Sequence, residues 1–424
     1  CGGDIIKFAG DALFAEWQVT DSKLIQFMEL AAEEAVLNAA TCASKIVEKC
    51  SDFPVYSEDR DSAPIATLNL HCGIGFGGVV GLHAGDMETR MEYLLLGGPI
   101  DQVTAANAIA GHGEVGASPE ALRMLRKCTD FGPELQKRLT YANLDSNNAK
   151  SVVIAKKEHV FFKTRRTEHN MALALPEYST KPRERLARRC NKLNLPALKR
   201  LQRRISQYVH PVIVNDERAM RQYGGDHSRY HERLRSESEL RQVCTVFIMP
   251  IIDAKLTGDK AIDAKLLRTL NGIMIISNRE LARFKGQLRQ FIIDDKGVVV
   301  VANFGLRAST FPNMVSERAL PFTKSIARFL ETELEVQCRI GATYGEAYCG
   351  VVGAVSRHEY AVLGPSVNLA ARLMANPYND GVLVDNGIRE HSGEREFRAL
   401  PPITAKGYSD LVSIFEPLQQ QQRV

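Results

Sequence analysis

Apolar and polar positions along this chain follow two different periods, and the switches between them mark its elements. From Leu24 to Cys50 and again from Glu317 to Leu334 the apolar residues keep helical spacing, which predicts two long helices. Shorter β-branched runs punctuated by glycine, His71-Cys-Gly-Ile-Gly-Phe-Gly-Gly-Val-Val-Gly81 and Arg339 to Gly353, predict strand hairpins. Gly297-Val-Val-Val-Val-Ala302 reads as a buried strand. No apolar run approaches the roughly 18 residues that a membrane-spanning helix needs.

The pattern occurs twice. Arg90-Met-Glu-Tyr93-Leu-Leu-Leu-Gly97-Gly-Pro-Ile-Asp101 returns as Arg357-His-Glu-Tyr360-Ala-Val-Leu-Gly364-Pro-Ser-Val-Asn368. Arg357 lies 267 positions after Arg90, and Gly364 lies 267 after Gly97. Val115-Gly-Ala-Ser-Pro119 falls opposite Val382-Leu-Val-Asp-Asn386 at the same shift. Several motifs in one order define an internal repeat. Each copy reads as strands, a long helix, further strands, and a helix opening after a Gly-Pro turn. That order predicts an α+β fold with helices covering a sheet. Two copies are expected to pair as a pseudo-dimer with a shared cleft. The expected division is a first domain over 1–165, a basic, largely helical connector over 166–240, and a second domain over 241–424.

Composition narrows the function. A length of 424 residues allows two or three domains, and 45% hydrophobic with 25% charged residues is ordinary for a globular chain. Nine cysteines, odd in number and never spaced Cys-x-x-Cys, fit a reduced compartment better than a disulfide framework or a zinc site. A net charge of +4 gives no basis for a nucleic-acid binder. The connector carries Arg183-Glu-Arg-Leu-Ala-Arg-Arg189 and Lys199-Arg-Leu-Gln-Arg-Arg204. It reads as a solvated helical connector, the alternative being a docking surface for phosphate, acidic lipid or an acidic partner. Aromatic residues are not interleaved as single-strand stacking requires.

The copies differ in their polar residues. The first has Asp11 at a Gly turn, Lys7-Phe-Ala-Gly10-Asp11, where the second has Gly297. The second has Asn368-Leu-Ala-Ala-Arg372 where the first has Asp101-Gln-Val-Thr-Ala105, so Arg372 stands opposite Ala105. These complementary losses are expected of one composite site. Asn and Arg four apart share a helix face. The Arg offers fixed donors to phosphate oxygens, the Asn can orient a hydroxyl, and a carboxylate can hold Mg²⁺. Thr404-Ala-Lys406-Gly407 sets a lysine beside a turn, suited to a polyphosphate. No Gly-Lys-Ser/Thr phosphate loop, His-Glu-x-x-His or serine-elbow pattern occurs.

Gly3-Asp-Ile-Ile-Lys-Phe-Ala-Gly-Asp-Ala-Leu13, Gly350-Val-Val-Gly353, Arg357-His-Glu-Tyr360 and Val362-Leu-Gly-Pro-Ser-Val-Asn-Leu-Ala-Ala-Arg372 resemble the class III nucleotidyl cyclases, in particular the bicarbonate-responsive soluble adenylyl cyclases. The resemblance implies two tandem ferredoxin-like cyclase domains, paired within one chain, that convert ATP into cyclic AMP and pyrophosphate with two Mg²⁺ or Mn²⁺ ions. On this chain it implies that Asp11 binds metal, Asn368 orients the ribose, Arg372 stabilises the transferring phosphate and Lys406 binds the triphosphate. Gln290 aligns with the lysine that reads adenine, with Arg289 one position away, and Ala361 aligns with its partner, beside Val362. Lys7 matches a lysine implicated in bicarbonate binding, while Thr104 replaces the second basic residue of that pocket. The family's other metal aspartate precedes Asp11 by some fifty residues, so the sequence is expected to be a fragment that lacks half the metal site. The implied location is cytoplasmic, the alternative being membrane association through partners. Two alternatives stay open: a catalytically silent cyclase-like regulatory module, and a guanylyl cyclase.

Overall fold

The computed structural model describes residues 2–9, 12–19, 25–56, 63–144, 146, 148–157, 159–164, 190–215, 238–294, 297–307, 311, 313–354, 357–405 and 408–418. The chain forms two compact units. The first is Cys1–Lys7, Leu13–Val80 and Leu96–Asn194; the second is Phe8–Ala12, Gly81–Leu95 and Leu195–Val424.

The first part of the chain runs β1 (Asp4–Ala9), β2 (Ala12–Glu16), α1 (Ile25–Cys50), β3 (Phe53–Val55), β4 (Ala66–Leu68), β5 (Cys72–Ile74), β6 (Val80–Gly85), β7 (Met91–Leu96), α2 (Gly98–Ile109), β8 (Glu114–Ala117), α3 (Pro119–Cys128), β9 (Thr129–Phe131), α4 (Pro133–Ala142), β10 (Val152–Lys156), β11 (His159–Val160) and β12 (Phe162–Thr164). In the first unit a four-stranded sheet has the order β11-β10-β8-β5. Val36, Leu37, Ala40 and Val47 of α1 pack with Leu122 and Leu125 of α3 over Val115, Ala117 and Ile154. Ser118 caps α3 by accepting the Ala121 N–H at 3.1 Å, a good start for a helix whose first residue is Pro119.

The rest is α5 (Leu195–Ser206), β13 (Glu239–Pro250), α6 (Lys260–Phe284), β14 (Gln287–Asp294), β15 (Gly297–Phe304), α7 (Leu320–Leu334), β16 (Cys338–Ala354), β17 (Arg357–Leu363), α8 (Pro365–Met374), β18 (Val382–Asp385), α9 (Asn386–Glu390), β19 (Phe397–Ile403) and β20 (Val412–Pro417). The large sheet of the second unit has the order β14-β15-β13-β16-β18-β20-β19, with β17 paired to β16. Residues 298–304 of β15 are all buried, as the apolar run Val298–Ala302 requires of a strand covered on both faces, and the Asn303 side-chain amide donates there to the Thr245 hydroxyl at 2.8 Å. The architecture is mixed α and β, as expected from the sequence.

Three expectations need correction. Arg339–Gly353 is not a hairpin but part of one 17-residue strand, β16. Its first half pairs with β18 in parallel and its second half with β17 antiparallel. His71–Gly81 likewise folds into no hairpin of its own: β5 pairs in parallel with β8, while β6 pairs with β7. Gly341 and Gly73 in these runs mark close helix approach rather than turns. A Cβ at Gly341 would lie 2.1 Å from the Ala370 carbonyl oxygen, and one at Gly73 would lie 2.5 Å from that of Val103. Third, Glu317 does not open α7, because Met314–Ala319 is a π-helical turn ahead of it. Pro321 has no N–H to give the Glu317 carbonyl, so regular α-helical bonding cannot run through the junction.

The repeat is visible within each unit. Cys72, Gly73 and Ile74 pair with Val115, Gly116 and Ala117, joined through α2; Ile340, Gly341 and Ala342 pair with Val382, Leu383 and Val384, joined through α8. Both crossover helices open at a glycine N-cap, with proline as the second helical residue of α2 and the first of α8.

Candidate functional site

Helix α8 presents two of the expected residues together. Val367, Leu369, Ala370, Leu373 and Met374 form its buried side. The 3.6-residue period then turns Asn368 and Arg372 to the opposite side, one turn apart. Asn368 is exposed and Arg372 half-buried. The Asn368 N–H donates to the Gly364 carbonyl at 3.2 Å, so the Gly-Pro turn fixes the start of the helix that carries both.

Arg372 acts electrostatically on Tyr408. Burial and the Asp385 carboxylate raise the Tyr408 hydroxyl above its ordinary value, and the Arg372 guanidinium opposes them. Thr404, Ala405, Tyr408, Ser409, Asp410 and Leu411 line a cavity of about 480 Å³. Asp385 caps α9 by accepting the Ile388 N–H at 2.9 Å, and it also accepts from the Tyr344 N–H at 3.3 Å. Burial nevertheless pushes its carboxyl up to about 6.

Gln290 lies on β14, next to a bulge. Leu288 pairs with Ala302 and Gln290 with Val301, leaving Arg289 as the extra residue. Gln290 is 5% exposed, and its side-chain amide donates to the Phe8 carbonyl, in a segment of the same unit. Arg289 is buried, with its guanidinium 3.5 Å from the Glu359 carboxylate. Burial lowers its pKa, against the pull of Glu359 and Glu92. Ala361 and Val362 are buried on β17, opposite Gly350 and Cys349. Lys7 is half-buried on β1, in the first unit. Asp11 and Lys406 lie outside the described residues.

Sequence reasoning missed a buried polar cluster in the second unit. Arg90 pairs with Glu92 at 2.8 Å and donates to the Gln207 carbonyl at 3.2 Å. The ring of His210 stacks on Tyr360 at 4.8 Å. Burial, then Arg90 and Arg289, hold the imidazole well below its usual pKa, so it stays neutral. A signal was present, since Glu92 and Glu359 occupy the same place in the two copies of the repeated motif. Attention to the positions where the copies differ passed over one where they agree.

Among the described residues no three His, Cys, Asp or Glu side chains come together as a metal site. Asp11, the carboxylate expected to hold metal, is not among those residues. Among the described residues no helix is long and apolar enough to cross a membrane.

Residues 241–401 match the adenylate and guanylate cyclase catalytic domain, and the chain resembles the class III nucleotidyl cyclases. The resemblance extends over the whole length: adenylate cyclase type 10 of Rattus norvegicus is 26% identical over 432 residues, covering 100% of this chain and 24% of that protein. Adenylate cyclase type 10 of Homo sapiens is 26% identical over 422 residues, covering 98% and 23%. The chain thus spans about a quarter of the length of these relatives. Among solved structures, the adenylyl cyclase CyaB from P. aeruginosa aligns with 44% of this chain and 99% of its own at 19% identity and a TM-score of 0.39.

Proposed function

We propose that this chain is the catalytic portion of an adenylyl cyclase of the soluble type, converting ATP into cyclic AMP and pyrophosphate. The observation that carries the proposal is the placement of Asn368 and Arg372 one turn apart on the outer side of α8, inside the matched catalytic domain. In the reaction the ribose 3′-oxygen bonds to the α-phosphorus, the bond to the β-phosphate bridging oxygen breaks, and the hydroxyl proton is released. Asn368 orients the hydroxyl. Arg372 offers its guanidinium to charge that grows on the α-phosphate oxygens, which is where phosphoryl transfer gains most from a fixed cation. Lys406 takes the leaving pyrophosphate, and Gln290, Ala361 and Val362 lie along the base. Mg²⁺ or Mn²⁺ bound through Asp11 would supply further neutralisation of the triphosphate. Pairing of two ferredoxin-like cyclase domains as an intramolecular pseudo-dimer, the cytoplasmic location and a bicarbonate response through Lys7 are parts of the same proposal.

The test is cyclic nucleotide formation by the chain with ATP or GTP and Mn²⁺. ATP is the expected substrate, and Arg372→Ala should lower the rate by roughly 10³-fold or more while the melting temperature holds. A parent chain that binds ATP yet forms no product would overturn the enzyme reading. It would favour the alternative, a catalytically silent regulatory module, which has its own support in the engagement of Gln290 with Phe8 and of Arg289 with Glu359. Product from GTP alone would assign a guanylyl cyclase.

A further inference from the structure

We infer that helix α5 is a docking surface for anionic phospholipid, through which the chain adsorbs directly to a membrane. The helix divides sharply. Leu198, Leu201 and Ile205 fall on one side, and Lys199, Arg200, Arg203 and Arg204 on the other. All four cations are exposed, and among the described residues none has a carboxylate in ion-pair reach. Lys192, just before the helix, is exposed as well. At the two ends stand exposed apolar side chains, Leu195 at 64% and Ile205 at 51%.

Each feature selects the occupant. A row of basic side chains on one helix needs a partner that is negative over an area, and an anionic lipid leaflet provides this. Leu195, exposed at the N-terminal end of the helix, can enter the boundary between headgroups and acyl chains while the cations stay among the phosphates. A protein groove that grips a basic amphipathic helix takes hold of its apolar side. Here Leu198 and Leu201 on that side are already half-buried, so the outward basic side is what a partner can reach. Single-stranded nucleic acid is disfavoured because residues 190–206 contain no aromatic side chain on which a base could stack.

The experiment is co-sedimentation of the full chain with vesicles of phosphatidylcholine alone and with vesicles containing roughly one-third phosphatidylserine. Binding is expected only to the anionic vesicles, and should fall at least tenfold when salt rises from about 0.1 M to about 0.5 M. The combined variant Lys199→Glu, Arg200→Glu, Arg203→Glu and Arg204→Glu should lose about 10²-fold or more, because each juxtamembrane cation counts for roughly a fivefold change. Lys199→Gln with Arg203→Gln, a milder pair, should lose more than tenfold at an unchanged melting temperature, and Leu195→Ser should lose a few-fold. Equal partition onto both vesicle types, or parental binding by the neutralised pair, would overturn the inference. So would saturable binding to an acidic helix-gripping protein without any partition onto anionic vesicles.

Discussion

Single residues in the second unit carry charge in places where water is scarce, and their energetics can be read one at a time. Asp385 is held by two backbone N–H groups, yet burial wins and its carboxyl sits at about 6 rather than 3.8. A carboxyl raised on folding contributes stability that is fully present below its unfolded pKa and is lost as pH rises through the folded value. With one pKa unit worth about 1.4 kcal/mol, ionising Asp385 costs the fold about 3 kcal/mol. Asp385→Asn removes the titration and keeps a capping oxygen. The stability difference between parent and variant should therefore move against the parent by about that amount from pH ~4 to pH ~7, as followed by urea unfolding at each pH. Arg289 and Glu359 illustrate the other risk of burial. Removing one member strands the other, so Glu359→Ala should cost about 3 kcal/mol or more. Arg289→Met together with Glu359→Leu should recover most of that loss, and a double-mutant cycle measures the coupling. Glu359 did not stand out in the sequence as a candidate, and Arg289 did so only as the neighbour of Gln290, because burial of a charge depends on which strands meet and not on local pattern. Asn368 and Arg372 did stand out, since four-residue spacing on a helix is a purely local fact.

At the scale of elements, what was legible depended on whether a signal was local or tertiary. Helix α1, the body of α7 and the buried strand β15 followed from periodicity alone, whereas the 25-residue α6 was not among the expected elements. Strand partners did not. Glycine reads as a turn when only neighbours in sequence are considered, whereas Gly73 and Gly341 are glycines because a crossover helix lies against the strand. The start of α7 failed for a related reason, since the consequence of Pro321 reaches back four residues to Glu317. Gly341→Ala should force its Cβ onto the Ala370 carbonyl and push α8 away from β16, costing about 3 kcal/mol as an overpacked site. Gly73→Ala meets Val103 and Asn107 in the same fashion and should cost a similar amount. Only Gly341→Ala moves the helix that carries Asn368 and Arg372. Under the proposed function its turnover, assayed at a temperature where both variants remain folded, should fall well below that of Gly73→Ala.

For the molecule as a whole, the divisions of fold and of sequence differ. The β6–β7 segment Gly81–Leu95 comes from the first copy of the repeat but is part of the second unit. It is tied there by Asn278, whose side-chain amide donates to the Arg90 carbonyl at 2.8 Å, and by Asn271, which accepts from the Gly85 N–H at 2.8 Å. The connector adds further ties: the Met91 N–H donates to the Gln207 carbonyl at 3.0 Å, and the Tyr208 hydroxyl lies 2.9 Å from His83 Nδ1. His210, at the end of this stretch, is buried and neutral. A histidine with a lowered folded pKa stabilises fully above its unfolded value, about 6.5, and that contribution fades as pH falls below it. His210→Gln should flatten the acid limb of the unfolding profile below pH ~6.5. Asp385 tilts the same profile the opposite way between about 4 and 6, so the two single variants are needed to separate them.

That borrowed β-ribbon has a practical corollary. Anyone recombining this polypeptide with a cousin would be tempted to splice at the basic tether, exchanging everything downstream as a cassette. Such a hybrid would inherit a downstream module deprived of a ribbon encoded more than a hundred positions upstream, and a compatible Gly81–Leu95 would have to travel with it.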